Sequence, residues 1–407
     1  MSVPGVWGNS ALRSFWASAT SDALGDALYW VFLAWVAGRY HASWLLALAT
    51  IPTLLALPFG GVWADRRRLV AAARLTLAAR AALAAGLAVL LASHVAVVWL
   101  VLPVTLISFV DGVHQPAMNS IAAVVGSSDA TTQTQIQAYL RVGSESAEIV
   151  AGPLAGILIG WFLPSTGWLF AGLSLLGWAL MRRTSSIAPT PPAPASVQGS
   201  LLRQFFAGIR ALSALPRLRF CLLVFCVSNF VLTPLTILAP ALLAHDRGWS
   251  GWQYGCVPAG FAVGALASAL LVDHFAPTLK RPLVTGISCL AGQSAAFVCL
   301  AFVNSWWLAA VVVMVGAFVG MPGADIYGGQ VQAASPDDRR GQVQAIKALA
   351  INVLSPAGYL VLGVLGAWSI SAAIAILAAT LLIFAVFAVF AAGVIEKTHP
   401  QDLQALV

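Results

Sequence analysis

Apolar residues fall in long runs along this chain, separated by short polar or charged segments. A helical run needs roughly 20 residues to cross about 30 Å of hydrocarbon. Twelve such runs can be drawn, at 12–37, 42–63, 70–92, 96–122, 134–160, 166–181, 217–244, 252–272, 283–303, 306–333, 343–366 and 368–394, with the sixth expected to start nearer Pro164. The pattern predicts an all-α integral membrane protein with twelve transmembrane helices.

The punctuation divides the chain. Residues 184–200 contain Pro189, Pro191, Pro192 and Pro194, too proline-rich for a helix and too polar for the membrane. Residues 201–212 then place apolar side chains on one helical face and Arg203 and Arg210 on the other, as a helix lying on the cytoplasmic surface would. The expected organisation is a six-helix bundle over 1–183, a linker over 184–216, and a second six-helix bundle with a short tail over 217–407. Faint internal similarity supports two repeats: Ile136-Gln137-Ala138 against Val343-Gln344-Ala345, and Gly152-Pro153 with Gly160 against Ser355-Pro356 with Gly363. Paired repeats of this kind imply alternating access around a midplane site.

Composition makes lipid the solvent for much of the surface: 60% of residues are hydrophobic, 9% are charged and the mean hydropathy is +0.89. The net charge of +7 reads as a topology signal. With both termini in the cytoplasm, that side holds Arg66, Arg67, Arg68, Arg74, Arg182, Arg183, Arg203, Arg210, Arg217, Arg219, Lys280, Arg281, Arg339, Arg340 and Lys397, against Arg39 and Arg247 outside. The basic excess then faces anionic lipid, and no nucleic-acid partner is expected. No cleavable leader is expected, so the first span is read as an anchor. The five cysteines, all in or near apolar spans, are read as small buried groups and not as disulfides or metal ligands. The motifs of nucleotide, hydrolase and zinc enzymes are missing, so no enzyme is predicted.

Charge inside a span costs several kcal/mol unless it meets a partner or a watery cavity. Asp22 and Asp26 share one helical face in the first span, continued by Tyr29 and Trp30. Asp111 and His114 lie one turn apart in the fourth, and Asp325 accompanies Tyr327 in the tenth. In the fifth, Arg141 and Glu145 stand four apart as an ion-pair candidate, with Glu148 left lacking an obvious intrahelical partner; Lys347 enters the eleventh and could pair with a carboxylate. Asp26, read as a lone carboxylate in mid-membrane, is the leading proton-exchange candidate, joined by Asp22, Asp111, Glu148, Asp325 and His114. Tyr29, Trp30 and Tyr327 offer aromatic walls, and Asn119, Asn229, Gln293 and Asn352 possible polar lining.

Two motifs carry a family likeness. Gly61, Asp65, Arg66 and Arg68, or its neighbour Arg67, resemble the loop between the second and third helices of the major facilitator superfamily. That resemblance implies a conformational gate in which Asp65 caps a neighbouring helix. The matching segment 273–281 is a degraded copy, so one strong lock and one weak one are expected. Gly152-Pro153-x-x-Gly156 resembles the fifth-helix motif of the superfamily's drug–proton antiporters, implying export. Arg13, the run Ser21 to Asp26, Gln115-Pro116-Ala117 and Arg340-Gly341-Gln342-Val343 look like the branch containing the enterobactin exporter and macrolide efflux proteins.

Together these readings predict a monomeric secondary transporter of the bacterial cytoplasmic membrane. It would export a small amphipathic or cationic compound against protons, with the proton gradient as its energy source, no cofactor and no resident metal. Two alternatives stand beside it. Asp111-x-x-His114 with Asp22 and Asp26 could instead carry a metal ion as cargo, or the chain could be a proton-independent facilitator or uptake permease.

Overall fold

The computed structural model describes residues 10–65, 69–93, 95–125, 130–186, 215–275, 281–333 and 340–398. Within them the chain is helical: α1 (Ser10–Arg39), α2 (Ser43–Asp65), α3 (Leu69–Ala92), α4 (Val101–Val125), α5 (Ala130–Trp161), α6 (Pro164–Leu180), α7 (Pro216–Asp246), α8 (Gly251–Phe275), α9 (Pro282–Leu300), α10 (Trp306–Ala333), α11 (Arg340–Asn352), α12 (Ser355–Gly366) and α13 (Ile370–Thr398). The expected surface helix over 201–212 lies outside the described residues.

Each of the first ten predicted spans, and the twelfth, corresponds to one helix. The eleventh, expected as continuous over 343–366, is broken into α11 and α12. Pro356 explains the break, because it lacks an N–H and its ring excludes the preceding turn, and it sits in the first turn of α12 where that is harmless. The fourth span opens with a 3-10 turn, Val97–Leu100, before α4. Among the described residues nine spans are long and apolar enough to cross a membrane unaided. α1, although 30 residues long, is outside that set, since Ser14, Ser18, Ser21, Asp22 and Asp26 dilute its hydropathy.

The chain divides into two compact units, one of residues 1–36, 48–198 and 250–255, the other of 37–47, 199–249 and 256–407. In the first, α3 packs against α4 and α6. Phe15, Leu69, Val70, Ala117, Ile121 and Met181 bury one another around the start of α3. Directed bonds pin α1 to its neighbours: Ser18 Oγ donates to the Gly177 carbonyl on α6 at 3.0 Å and Trp16 Nε1 to the Tyr139 carbonyl on α5 at 2.9 Å.

In the second unit α9 packs against α10 and α13, and α7 against α11, α12 and α13. The Glu396 carboxylate accepts from the Leu283 N–H at 2.6 Å, satisfying one orphan donor at the start of α9. Arg247 Nη2 donates to the Ala301 carbonyl and to Ser371 Oγ, both at 3.2 Å. The five cysteines are free thiols.

Candidate functional site

The first unit gathers its intramembrane charges at one point. Three helices each contribute two polar side chains a turn apart: Asp22 and Asp26 on α1, Thr76 and Arg80 on α3, Asp111 and His114 on α4. Small residues seat α1 and α4 against the neighbouring α6 and α2. A Cβ at Gly25 would stand 2.9 Å from the Phe170 ring, and one at Gly112 would stand 2.5 Å from the Thr53 carbonyl oxygen on α2. Larger residues there would push α1 off α6 and α4 off α2, moving the acids they carry.

Arg80 is the centre. Its side chain is 0% exposed, and its guanidinium bonds Asp22 through Nη1 and Asp26 through Nη2. Nε lies 2.9 Å from Asp111 Oδ1, but the N–H does not point along that line, so this third contact is ionic without being a directed bond. The fork of guanidinium donors suits several carboxylates at once, as an ammonium could not. Below it lies Phe170, with the guanidinium carbon 5.2 Å from the ring centroid, and Tyr29 stacks on that ring at 5.4 Å. Trp30 meets Tyr29 edge-on at 6.0 Å.

His114 extends the cluster. Its Nε2 is 3.0 Å from Asp22 Oδ2 and its Nδ1 is 2.7 Å from Thr76 Oγ1, with His114 and Thr76 both buried. Three carboxylates thus share one guanidinium and one imidazole. With ionised acids the group carries two excess negative charges beside a neutral imidazole, or one beside an imidazolium. The acids are unequal in access: the Asp26 side chain is 34% exposed, those of Asp22 and Asp111 12% and 14%.

The chain matches the Major Facilitator Superfamily over residues 15–346. It belongs to that superfamily. No curated protein sequence matches it. Among solved structures it is similar to a bacterial homologue of the human lysosomal transporter Spinster in an inward-facing, unoccupied state, with TM-score 0.70, 15% identity and 96% and 97% of the two chains covered. The occupied form of that homologue gives TM-score 0.69 at 16% identity, with 99% of each chain covered. A variant of the nucleoside transporter NupG gives TM-score 0.71 at 13% identity, covering 94% of this chain and 99% of that one. At such identities the likeness is one of fold. The protein is a multi-pass membrane transporter of the twelve-helix major facilitator fold, and not an enzyme.

Placed in this superfamily member, the sequence candidates separate. Asp22, Asp26, Asp111 and His114 come together. Asp26 is not the lone carboxylate expected: Arg80 neutralises it, a partner on another helix that periodicity within α1 could not reveal. Tyr29 reaches the cluster through the Phe170 ring, and Trp30 in turn meets Tyr29. Glu148 lies on the exposed face of α5. Arg141 and Glu145 face each other at 3.9 Å, a loose pair joining an exposed guanidinium to a carboxylate only 15% exposed.

Other candidates belong to the second unit. Tyr327 is buried against Phe220 and Phe225 and donates to the Leu283 carbonyl at 2.9 Å. Asn229 and Asn352 donate to the backbone of their own helices, and Gln293 is buried beside Gly320. Lys347 Nζ sits 5.9 Å from the Phe225 ring centroid, and Asp325 is half-buried on α10. In the first unit Asn119 is exposed on α4. Gly61 and Asp65 close α2, but their surroundings, with Arg66 and Arg68, fall outside the described residues.

The fifth-helix glycines have clear neighbours. A Cβ at Gly156 would overlap the Gly251 carbonyl oxygen, and one at Gly255 the Gly152 carbonyl oxygen, so α5 and the first turns of α8 touch backbone to backbone. Pro153 lies within α5, where its missing N–H frees a carbonyl one turn earlier.

Sequence reasoning missed Arg80 and Thr76. Arg80 is the twelfth of the 24 residues of α3, hence at mid-membrane depth, in the run Leu77-Ala78-Ala79-Arg80-Ala81-Ala82. A lone cation at the centre of a span was a legible signal, by the same reasoning that singled out the acids. Thr76 carried none, because a threonine in a span ordinarily bonds its own helix.

Proposed function

We propose that this protein is a proton-coupled exporter of small cationic or amphipathic compounds, with the Arg80 cluster as the place where protons and cargo compete. The observation that carries this reading is the charge imbalance of the site: three carboxylates against one permanent cation, buried in a membrane protein. Excess charge at low dielectric demands compensation. A proton can supply it, and so can the positive end of a substrate. If the two exclude each other, an inward proton gradient drives cargo outward through alternating access. Asp26, the most open of the three acids, is the contact for cargo, one turn along α1 from the half-buried Trp30, whose ring suits an aromatic or aliphatic cation.

Further support comes from the likeness of Gly152-Pro153-x-x-Gly156 to the antiporter motif. The excess of arginine and lysine in alternate loops supports cytoplasmic termini in a bacterial inner membrane. The working unit is a monomer, and its only energy source is the proton gradient. The metal-cargo alternative is weaker. Asp22, Asp26 and Asp111 converge on the guanidinium of Arg80, which a metal ion would have to displace, and no cluster suited to a metal ion occurs among the described residues.

The test is a panel of cationic dyes and antibiotics in a pump-deficient host, followed by acid-interior inverted membrane vesicles. Adding a transported cation should release protons from vesicles carrying the wild type, and Asp26→Asn should abolish that release. Export equal in the two proteins removes Asp26 from coupling, and export that persists after the gradient is collapsed favours a facilitator.

A further inference from the structure

Thr76 Oγ1 has three polar neighbours: the Ala73 carbonyl at 2.8 Å, the Ala72 carbonyl at 3.1 Å and His114 Nδ1 at 2.7 Å. The hydroxyl has one hydrogen to give and lone pairs to receive. The two carbonyls accept only, whereas Nδ1 donates or accepts according to its proton. Across the ring, Nε2 stands 3.0 Å from Asp22 Oδ2. A carboxylate accepts only, so Nε2 carries a hydrogen whenever Asp22 is ionised.

Two complete hydrogen-bond patterns then fit the same heavy-atom positions. With a neutral ring, Nε2–H donates to Asp22 and the Thr76 hydroxyl turns its hydrogen onto Nδ1. With an imidazolium, Nε2–H still donates to Asp22, Nδ1–H donates to Thr76 Oγ1, and the hydroxyl hydrogen returns to the Ala73 carbonyl. We propose that Thr76 is the positioning residue that lets His114 gain and lose a proton in the membrane interior, by rotating its hydroxyl between the His114 ring and its own helix. Thr76 is 5% exposed and His114 2%, so neither can call on bulk water for the missing bond. The charged groups around the ring are Asp22 on α1, Arg80 on α3 and Asp111 on α4, and α6 faces the cluster with the uncharged Phe170.

This deepens the coupling reading and rests on it for its consequence. Cargo charge at Asp26 and the imidazolium charge would repel through the shared Arg80, so loading cargo expels the His114 proton, and Thr76 keeps the vacated Nδ1 partnered. The chemistry is a proton transfer alone: the N–H bond at Nδ1 forms or breaks, and the hydroxyl reorients with its O–H bond intact.

Purified full-length protein with 15N-labelled histidine tests it directly, since ring nitrogen shifts distinguish the tautomers. Among its six histidines, the His114 signal is the one lost in His114→Gln. At alkaline pH, wild-type His114 should be the Nε2–H tautomer with Nδ1 as acceptor. Thr76→Val removes both donor and acceptor, and a buried cationic N–H loses more than a neutral acceptor does. His114 should then hold its second proton about tenfold less tightly, a shift of about one pH unit, whereas Thr76→Ser should restore the wild-type titration. A neutral Nδ1–H tautomer in the wild type overturns the proposal whether or not the variants fold, as does a Thr76→Val titration that superimposes on wild type. Gradient-independent export of ethidium with an intact Thr76 effect would sink the coupling reading and leave the hydroxyl switch standing.

Discussion

Replacing Arg80 by leucine is expected to be the most damaging single substitution in the membrane interior. It leaves the largely buried Asp22 and Asp111, and the more open Asp26, without their shared cation, and removing one partner of a buried ion pair costs about 3–5 kcal/mol. The variant should insert at reduced yield, unfold at lower temperature in detergent and transport nothing. Two companions separate charge from geometry. Arg80→Lys keeps the charge but loses the fork, so it should fold better than the leucine variant yet remain inactive. Asp22→Asn added to Arg80→Leu lowers the uncompensated charge and should recover part of the lost thermal stability. An Arg80→Leu protein melting with the wild type would show that the cluster is not a buried electrostatic unit.

Gly156→Val should rank second. Its Cβ would overlap the Gly251 carbonyl oxygen, part of a neighbouring backbone that cannot turn aside as a flexible side chain can. Overpacking ordinarily costs about 1–3 kcal/mol, and contact with backbone belongs at the upper end. A flux loss of about tenfold, equivalent to about 1.4 kcal/mol, is the expected minimum. At Gly160, one turn further along α5, a Cβ would meet nothing within 4 Å, so Gly160→Ala should transport as the wild type does. If both substitutions were equally silent, close approach of α5 and α8 would have no part in function.

The cluster has a physical logic that extends past these variants. In the coupling proposed above, the site's charge has to be satisfied in more than one way, and an even match of acids and bases would lock it. Here one permanent cation serves three acids, and an imidazole with two complete bonding patterns completes the set. Phe170 beneath the guanidinium supplies a polarisable face without adding a charge.

Much of this was legible in the amino-acid sequence, for reasons that differ by element. Crossing hydrocarbon requires long apolar runs, so the twelve spans could be drawn from hydropathy. Pro356 was equally visible, yet its effect was not: a proline can kink a membrane helix or divide it, and the neighbouring helices decide which. Asp22 and Asp26, like Asp111 and His114, were recognisable as functional candidates because their spacing puts each pair on one face. Arg80 stood in the middle of an alanine-rich span, where its charge was as costly as that of the acids and no less visible.

What no periodicity could supply was the meeting of α1, α3 and α4. Sequence spacing states which residues share a face of one helix, and says nothing of which faces turn toward each other. Arg80 and Thr76 of α3 meet the acids of α1 and the imidazole of α4, while Gly25 lets α1 lie close on α6 and Gly112 lets α4 lie close on α2, at separations a single methyl group would forbid. The sequence alone therefore determined a membrane-spanning transporter with costly buried charges. Only tertiary structure joined those charges into one cluster, because Coulomb and hydrogen-bond energies depend on distances between helices that hydropathy does not encode.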